Sequence, residues 1–355
     1  MMVVLLSIVL LLFLAACKDK EEAAAVNETE EADVEEEQNE PEESEPEPEV
    51  VEEDEFPYYY PLTGIGTEEE VNHRAFGIMI ENSVSARPQT GLYQADIVYE
   101  VLTEATITRL LAFYHSMKPE QIGPVRSARD YYIHLNKGYD AIYASAGGSP
   151  DALAMIQNGE VDHISGLTYD GRFFTRSAER KAPHNMYTSY ESLYKAAEQI
   201  GYTIESEPLE ISFTKEIPSP TGKEAKHLEV KYGSASNNVQ FVYDSEMKSY
   251  RRSNGGQATE DAVTGDPVAP KNIFIVEMSH EVIDKQGRRA IDVSSGGKAY
   301  LIQEGVLLEV DWESHEGLIL PFKDGEQIPF LQGQTWINII PSQNGGLDSH
   351  VEVFE

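Results

Sequence analysis

The sequence predicts an α/β or α+β domain, with a mixed sheet covered by helices, followed by a mainly β domain. In residues 57–207, strand-like apolar runs alternate with helical patterns, which is typical of a sheet covered by helices. In residues 227–355, short alternating segments are separated by clusters of Gly, Asn and Asp, which favours β structure. Residues 208–226 contain three prolines and form the predicted linker between the two domains.

The chain begins with a segment that is almost wholly apolar. Residues 3–16 read VVLLSIVLLLFLAA and precede Cys17, the single cysteine of the sequence. Fourteen helical residues rise about 21 Å, which is short of the roughly 30 Å hydrocarbon core of a bilayer. This length is typical of a signal-peptide core, and Leu14-Ala15-Ala16-Cys17 resembles a bacterial lipobox. We therefore expect residues 1–17 to be a lipoprotein signal peptide, with Cys17 as the lipidated membrane anchor.

Residues 18–56 are predicted to be a disordered acidic tether. Positions 21–55 hold 19 of the 62 Asp and Glu residues and no Lys or Arg, so about half of the net charge of −35 belongs to this segment. The segment has no aromatic residue and cannot bury enough apolar surface to offset the entropy of ordering. Repulsion between its carboxylates keeps it extended, which separates the folded part from the membrane.

The strands are predicted from apolar and alternating runs. In the first domain they lie at residues 75–81, 96–102, 107–115 and 141–146, and the second and third form a hairpin. In the second domain the clearest are residues 239–243, 273–278, 299–303, 306–310 and 335–340. Trp312 and Trp336 are expected in the core. Residues 250–256, which include Arg251 and Arg252, are expected to form a hairpin turn with ordinary surface charge.

Three helices of the first domain are predicted from capping patterns. Ser149-Pro150 is expected to begin one helix, with the serine as its N-cap. Thr188 and Glu191 fit a capping box for another helix, which Gly201 ends. A shorter helix is expected over residues 127–135.

The composition excludes several classes of function. With 27 Lys and Arg against 62 Asp and Glu, the chain does not fit a nucleic-acid binder, because phosphate backbones need clustered positive charge. A single cysteine excludes a disulfide scaffold and Cys-based zinc sites. The sequence contains no GxSxG elbow, Walker loop, HExxH, EF-hand loop or Rossmann glycine pattern, and so it identifies no catalytic residue.

Two basic segments stand out in this acidic chain. Residues 123–130 (GPVRSARD) place Arg126 and Arg129 at a strand-to-helix junction, where guanidinium and backbone N–H groups suit a phosphate or carboxylate. The second segment, residues 174–185, carries Arg176, Arg180, Lys181 and His184. We expect both segments to line one pocket, because ligands of α/β sheets gather at the carboxyl ends of strands. The alternative is ordinary ion pairing with neighbouring carboxylates, namely Asp130, Asp170 and Glu179.

Several motifs resemble, in order, the YerB-like family of bacterial lipoproteins. They are residues 72–82 (NHRAFGIMIEN), 86–92 (ARPQTGL), 95–100 (ADIVYE), 123–130, 182–187 (APHNMY), 243–244 (YD), 297–299 (GKA) and 333–336 (GQTW). The resemblance covers nearly all of the chain from residue 60 onward, in two family domains. It implies little chemistry, because the activity of the family is undefined. It implies a lipid-anchored protein on the extracytoplasmic face of the cell membrane of a Gram-positive bacterium.

The order of elements in the first domain also resembles the LytR–CpsA–Psr phosphotransferases, which move glycopolymers from a polyprenyl pyrophosphate carrier onto the cell wall. That resemblance implies a pyrophosphate site formed by Arg87, Arg126, Arg129, Arg176 and Arg180. It also implies a divalent cation held by Glu81, Asp96 or Asp130. The sequence departs from that family at Gln94, which stands where an Arg is usual, and at Glu81, which replaces an Asp.

Three functional hypotheses follow, and the sequence leaves open whether the protein is an enzyme. The first is a membrane-anchored binding protein that holds an anionic, phosphate-bearing ligand, such as an envelope polymer or a lipid-linked precursor. The second is a phosphotransferase, which alone among the three requires a cofactor, the divalent cation. The third is a protein-interaction module in which the basic residues are structural.

Overall fold

The computed structural model describes residues 56–206, 209, 211–217 and 221–354. The predicted signal peptide, the lipidation site Cys17 and the tether up to residue 55 lie outside the described residues. The first half contains the strands β1 (Tyr58–Tyr59), β2 (Gly66–Thr67), β3 (Phe76–Glu81), β4 (Ile97–Leu102), β5 (Thr108–Tyr114), β6 (Ile142–Ser145), β7 (His163–Ser165), β8 (Thr175–Arg176) and β9 (Met186–Tyr187). Its α-helices are α1 (Asp130–Lys137), α2 (Pro150–Gln157) and α3 (Tyr190–Ile200).

The second half is rich in strands. They are β10 (Phe213–Thr214), β11 (Lys223–Glu224), β12 (His227–Val230), β13 (Val239–Asp244), β14 (Ser249–Asn254), β15 (Gln257–Ala258), β16 (Asn272–Met278), β17 (His280–Val282), β18 (Arg289–Ile291), β19 (Gly297–Gln303), β20 (Val306–His315), β21 (Leu318–Lys323), β22 (Glu326–Gln327), β23 (Phe330–Leu331), β24 (Thr335–Pro341) and β25 (Val351–Phe354). The short helix α4 (Gly346–His350) precedes the last strand.

The central strands are apolar runs because both faces of their sheet are covered. Every residue of β3, β4 and β5 is buried, which explains why these segments do not alternate between apolar and polar residues. β4 and β5 form the hairpin that the sequence predicts, with Ile97 opposite Phe113. β3 pairs antiparallel with β5 and parallel with β6, so this part of the sheet is mixed.

One sheet continues through both halves of the chain. Its strand order is β22-β21-β20-β19-β16-β24-β4-β5-β3-β6-β7, and β11 also pairs with β20. The junction is the parallel pairing of β24 with β4, where Asn338 lies opposite Glu100. The two large apolar clusters both mix residues of the two halves. Trp336 belongs to one cluster and Trp312 to the other, and both are buried as the sequence predicts.

The remaining strands of the second half form smaller sheets. The largest of these is antiparallel, with the order β15-β14-β13-β12-β25. Described parts of the predicted linker also contribute strands, since β10 pairs with β23 and β11 with β20. Among the residues that the structure describes, no helix has both the length and the apolar composition needed to cross a bilayer.

Strand direction fixes where the loops gather. The pairings of β3, β4, β6, β7 and β24 make these five strands run in the same direction. Their carboxyl ends therefore lie at one edge of the sheet, which we call the carboxyl edge. The loops that follow β3, β4 and β6 are found there.

Helix α2 begins as the sequence predicts. The Ser149 hydroxyl accepts a hydrogen bond from the N–H of Ala152 at 3.3 Å, and Pro150 occupies the first helical position. Helix α1, in contrast, covers residues 130–137 instead of the predicted 127–135. Arg129, the residue before α1, is extended, with a φ of −131°.

Helix α3 begins one residue later than the predicted capping box. The N-cap is Ser189, whose hydroxyl accepts a hydrogen bond from the N–H of Ser192 at 3.1 Å. The hydroxyl of Thr188 instead donates to the carbonyl of Phe173 at 2.9 Å, and Ser189 is the residue that caps the helix. Gly201 ends the helix with a φ of +90°, as expected for a residue without a Cβ.

Candidate functional site

The two predicted basic segments meet at the carboxyl edge. The N–H of Arg126 donates to the carbonyl of Met79, near the end of β3, at 2.8 Å. The adjacent N–H of Val125 donates in the other direction, to the carbonyl of Met186 at 2.7 Å. Backbone hydrogen bonds thus hold the first basic segment between β3 and the end of the second basic segment, although the three are far apart in the sequence.

Glu81 lies at the centre of a polar cluster at this edge. Its side chain is 3% exposed and forms an ion pair with Arg126, which is 27% exposed. The Nδ1 atom of His184 lies 4.0 Å from the same carboxylate, and its Nε2 atom lies 3.2 Å from the hydroxyl of Ser85. The pairing with Glu81 therefore leaves part of the Arg126 side chain open to solvent.

Arg180 joins this cluster through backbone carbonyls. Its guanidinium donates to the carbonyls of Ser85 at 3.3 Å and Pro88 at 2.5 Å. Among the described residues, neither Arg180 nor the exposed Lys181 forms an ion pair with a carboxylate. We call Arg126, Arg180, Lys181 and His184 the arginine surface. With the exposed Glu179, which precedes Arg180 in the sequence, counted beside the buried Glu81, these segments carry three permanent cations and two carboxylates.

Arg129 belongs to a separate pair of arginines. It forms an ion pair with Glu104, in the turn between β4 and β5, and donates to the carbonyl of Ala128 at 2.7 Å. Buried Arg109, which the sequence analysis missed, lies 3.6 Å from the same Glu104 carboxylate. Burial and the charge of Arg129 lower the pKa of Arg109. Both arginines therefore share the carboxylate of Glu104, and Arg109 also lies opposite Glu81 in the sheet.

Arg176 also has a partner of its own. Its Nε donates to the carboxylate of Asp170 at 2.7 Å, and its Nη1 donates to the side-chain oxygen of Asn185 at 3.1 Å. The ion pair with Asp170 is the surface pairing that the sequence analysis gave as the alternative to ligand binding.

Arg87 lies in the loop after β3 and faces the second half of the chain. Its guanidinium donates to the carbonyls of Asn82 and Ser236, each at 2.7 Å, and to the side-chain oxygen of Asn237 at 3.1 Å. Burial lowers the pKa of Arg87 to about 10. Its neutral hydrogen-bond partners indicate a role in joining the two halves.

Glu81 and Asp96, two of the carboxylates predicted for a divalent cation, lie at opposite edges of the sheet. Glu81 ends β3 opposite Arg109, whereas the N–H of Asp96 bonds to the carbonyl of Phe113. From Arg109 to Phe113 along β5 is roughly 13 Å, which is too far for both carboxylates to bind one ion.

Asp96 and Asp130 also lie in different local environments. The Asp96 carboxylate accepts hydrogen bonds from the N–H groups of His115 at 2.6 Å and Ser116 at 2.9 Å, and burial raises its pKa to about 6. Asp130 lies in the first turn of α1, where burial raises its pKa. Within the described ranges, no group of three His, Cys, Asp or Glu side chains is arranged to hold a metal ion.

The larger cavities lie away from the arginine surface. One of about 1080 Å³ is lined by residues that include Lys118 and Tyr190, and one of about 610 Å³ by residues that include His134 and Asp292. The arginine surface lines neither of them. It therefore suits a charged group presented by a larger molecule better than a small molecule enclosed in a pocket.

Comparisons with known proteins agree with the resemblance seen in the motifs. The N-terminal domain described as "Protein of unknown function (DUF3048)" matches residues 62–203, and the corresponding C-terminal domain matches residues 228–337. The chain is 46% identical over 284 residues to the "Putative lipoprotein YerB" of Bacillus subtilis (strain 168), covering 79% of this chain and 86% of that protein. The chain belongs to the YerB-like DUF3048 family. The crystal structure of the YerB protein from Bacillus subtilis is also similar, with a TM-score of 0.77, 43% identity, and coverage of 84% of this chain and 100% of that one.

A buried ion pair crosses between the two DUF3048 domains, and the sequence analysis missed it. The side chains of Glu100 and Arg252 are 0% and 1% exposed, and the Oε2 and Nη2 atoms lie 2.8 Å apart. The hairpin turn predicted over residues 250–256 is confined to residues 255–256, because β14 continues to Asn254 and pairs with β15. Side chains alternate along this strand, so Arg251 points to solvent while Arg252 points inward.

The carboxylate of Glu100 is fully hydrogen-bonded despite its burial. It accepts hydrogen bonds from four side chains, Asn82, Thr108, Arg252 and Trp336. The guanidinium carbon of Arg252 also lies 4.3 Å from the centroid of the Trp336 ring. The signal in the sequence was a single Glu within the apolar run IVYEVL, because a carboxylate inside a buried strand requires a partner.

Proposed function

We propose that this DUF3048 protein is a lipoprotein anchored through Cys17 to the extracytoplasmic face of the cell membrane of a Gram-positive bacterium. The proposal is supported by the short apolar segment that ends in a lipobox-like sequence and by the acidic segment that follows it. The Bacillus subtilis relative is also named as a lipoprotein. Replacing Cys17 with Ala should move the protein from the membrane fraction to the soluble fraction, and a variant that remains in the membrane fraction would contradict the anchor.

At the membrane, the arginine surface binds an anionic, phosphate-bearing group of the cell envelope. The observation that carries this proposal is that Arg180 and the adjacent Lys181 have no carboxylate partner among the described residues. Arg180 contacts Ser85, which also contacts His184, and His184 lies beside the Glu81 carboxylate that pairs with Arg126. In a chain with a net charge of −35, cations that the protein itself does not neutralise can hold an external anion. Guanidinium groups also match phosphate oxygens through paired N–H donors.

The open shape of the surface defines the kind of ligand. The surface is only partly buried, so it can contact a phosphate carried by an envelope polymer or by a lipid-linked precursor. His184 contributes a ring nitrogen beside the hydroxyl of Ser85, and these two polar groups can hydrogen-bond to the same phosphate. We propose binding and not phosphotransfer, because the carboxylates expected to hold a catalytic cation do not converge.

Pyrophosphate is a suitable probe for this surface. Isothermal titration of the purified protein should detect binding, and the double variant Arg180→Ala/Lys181→Ala should weaken it. These two side chains lack carboxylate partners, so their removal leaves no buried charge unpaired. Because a hydrogen bond to a charged group contributes about 1.5–3 kcal/mol, we expect a loss of affinity of at least roughly tenfold.

Arg251→Ala is the matched control, because Arg251 is an exposed arginine that pairs with Asp244 on the second domain. Its affinity for pyrophosphate should equal that of the unmodified protein. If the unmodified protein binds neither pyrophosphate nor inorganic phosphate, the anion-binding function is wrong and the protein-interaction hypothesis gains support. Equal losses in the control and the double variant would show that binding reflects overall charge and not this surface.

A further inference from the structure

The loop after β3 carries the atoms that place the arginine surface. Within residues 82–91, the carbonyls of Ser85 and Pro88 accept the hydrogen bonds of Arg180, and the hydroxyl of Ser85 contacts His184. If this loop moved, the positions of the Arg180 and His184 side chains relative to Arg126 would change. The loop therefore decides whether the surface has one defined geometry.

The first attachment of this loop to the C-terminal DUF3048 domain is made through Arg87. Its guanidinium donates to the carbonyl of Ser236 at 2.7 Å and to the Asn237 side-chain oxygen at 3.1 Å. Asn237 is 5% exposed, and its amide also donates to the hydroxyl of Thr106 at 3.2 Å. A single buried asparagine of the second domain thus contacts two loops of the first.

The second attachment is made through Asp261, which is 6% exposed. One of its oxygens accepts a hydrogen bond from the N–H of Gly91 at 2.6 Å, and the other accepts from the N–H groups of Val263 and Thr264. The neighbouring N–H of Ala262 donates to the carbonyl of Gln89 at 2.9 Å. The same carboxylate therefore fixes its own turn and the end of the loop.

The base of the loop is held as well. Asn82 is fully buried and donates to Glu100, which pairs with Arg252 of the second domain. A cavity of about 190 Å³ remains between Arg87 and the turn that contains Asp261. The loop is thus attached to the second domain directly at its middle and its end, and at its base through Glu100.

We infer that the C-terminal DUF3048 domain positions the loop of residues 82–91, and that Asn237 and Asp261 are positioning residues for anion binding at the arginine surface. This inference rests on the proposed function. Neither residue contacts Arg126, Arg180 or His184 directly in the described contacts, so each acts through the loop. The second domain thereby completes a binding site whose charged groups all belong to the first.

The test uses an alanine variant and a conservative variant at the same position. Asn237→Ala removes the acceptor for Arg87, whereas Asn237→Asp keeps an acceptor in the same place. Asp261→Ala is an independent variant at the other attachment, and Asp244→Ala, at a partly exposed carboxylate of the same domain, is the control. Two quantities are measured on the purified full-length proteins: affinity for pyrophosphate, and hydrogen exchange of the amides in residues 82–91.

Both alanine variants at the attachments should speed amide exchange across residues 82–91 and weaken pyrophosphate binding roughly tenfold, a coupling of ordinary size between linked sites. Asn237→Asp should restore both quantities, and Asp244→Ala should change neither. Unchanged exchange in the loop, or unchanged affinity in a folded Asn237→Ala variant, would overturn the inference. If the unmodified protein binds no pyrophosphate, the proposed function fails, and faster exchange would then support the loop attachment without a ligand role.

Discussion

The buried pair of Glu100 and Arg252 leads to a quantitative prediction for folding stability. Arg252→Ala would leave the carboxylate of Glu100, with 0% of its side chain exposed, in the interior without its cationic partner. The remaining donors to this carboxylate are the neutral groups of Asn82, Thr108 and Trp336. Their hydrogen bonds do not supply the positive charge that is lost.

The expected magnitude follows from this geometry. Removing one partner of a buried ion pair costs about 3–5 kcal/mol, because the other charge stays desolvated. Contact of a desolvated guanidinium with an indole ring contributes about 2 kcal/mol, and it is lost in the same substitution. Since these effects are not additive, we expect Arg252→Ala to lower the free energy of unfolding by about 4 kcal/mol, a large part of the 5–15 kcal/mol of a typical domain.

Urea denaturation monitored by circular dichroism measures this loss of unfolding free energy. The neighbouring Arg251→Ala variant is the control. Arg251 is 54% exposed and pairs with Asp244 at 2.9 Å on the surface, where such a pair contributes about 0–1 kcal/mol. The two substitutions remove the same side chain from adjacent positions of β14. Their difference in unfolding free energy therefore reports burial and pairing, and not the loss of an arginine as such.

A double variant separates the pair from its surroundings. Glu100→Gln/Arg252→Met removes both charges and should be less destabilising than the sum of the two single substitutions, because neither charge remains buried alone. If Arg252→Ala is no more destabilising than Arg251→Ala, the buried pair does not have the energetic role described here. Strict additivity in the double variant would refute the coupling between the two charges.

Two further measurements test burial and backbone geometry elsewhere. Burial lowers the pKa of His163 to about 4, against about 6.5 when unfolded, so stability should fall by about 1.4 kcal/mol per pH unit as the pH drops from 6.5 to 4. His163→Gln should remove this part of the slope in urea titrations, whereas the exposed His315→Gln should not; equal slopes would contradict the assignment. Gly317 and Gly201 both have positive φ, but a Cβ at Gly317 would collide with the carbonyl of His134, while the space at Gly201 is open. Gly201→Ala should lower the free energy of unfolding by about 1–2 kcal/mol, and Gly317→Ala should lower it clearly more. Equal unfolding free energies for the two variants would show that the collision at Gly317 is relieved.

Local patterns in the sequence predicted much of the strand content. The runs that became β3, β4 and β5 are apolar because their residues are buried on both faces of the sheet, and this is visible without knowledge of their neighbours. The starts of α1 and α3 were displaced because tertiary contacts decide them. At α3, the hydroxyl of Thr188, which the capping pattern had assigned to the helix, donates to the carbonyl of Phe173, and Ser189 is the N-cap.

Non-local partners explain what the sequence could not show. Arg252 precedes Asn254-Gly255-Gly256, a strong turn signal, and its burial depends on Glu100, which is far away in the sequence and pairs with it only after the sheet has formed. For the same reason, the sequence does not show the pairing of β24 with β4 that joins the two halves. The pattern of β24 indicates a buried strand, but nothing in it specifies β4 as the neighbour.

The partners of each cation separate the structural arginines from those that can hold a ligand. Arg129 and Arg176, which the sequence placed in one pocket, each have a carboxylate partner, so an incoming anion would have to compete with it. Arg180 is held in place by carbonyl groups, which orient a guanidinium without neutralising its charge. Counting charges along the chain cannot distinguish these cases, because nothing in the sequence marks Glu104 and Asp170, among the many acidic residues, as the partners of these arginines. The distinction depends on which loops meet at the carboxyl edge, and that is why Arg180 and Lys181 are the decisive positions to vary.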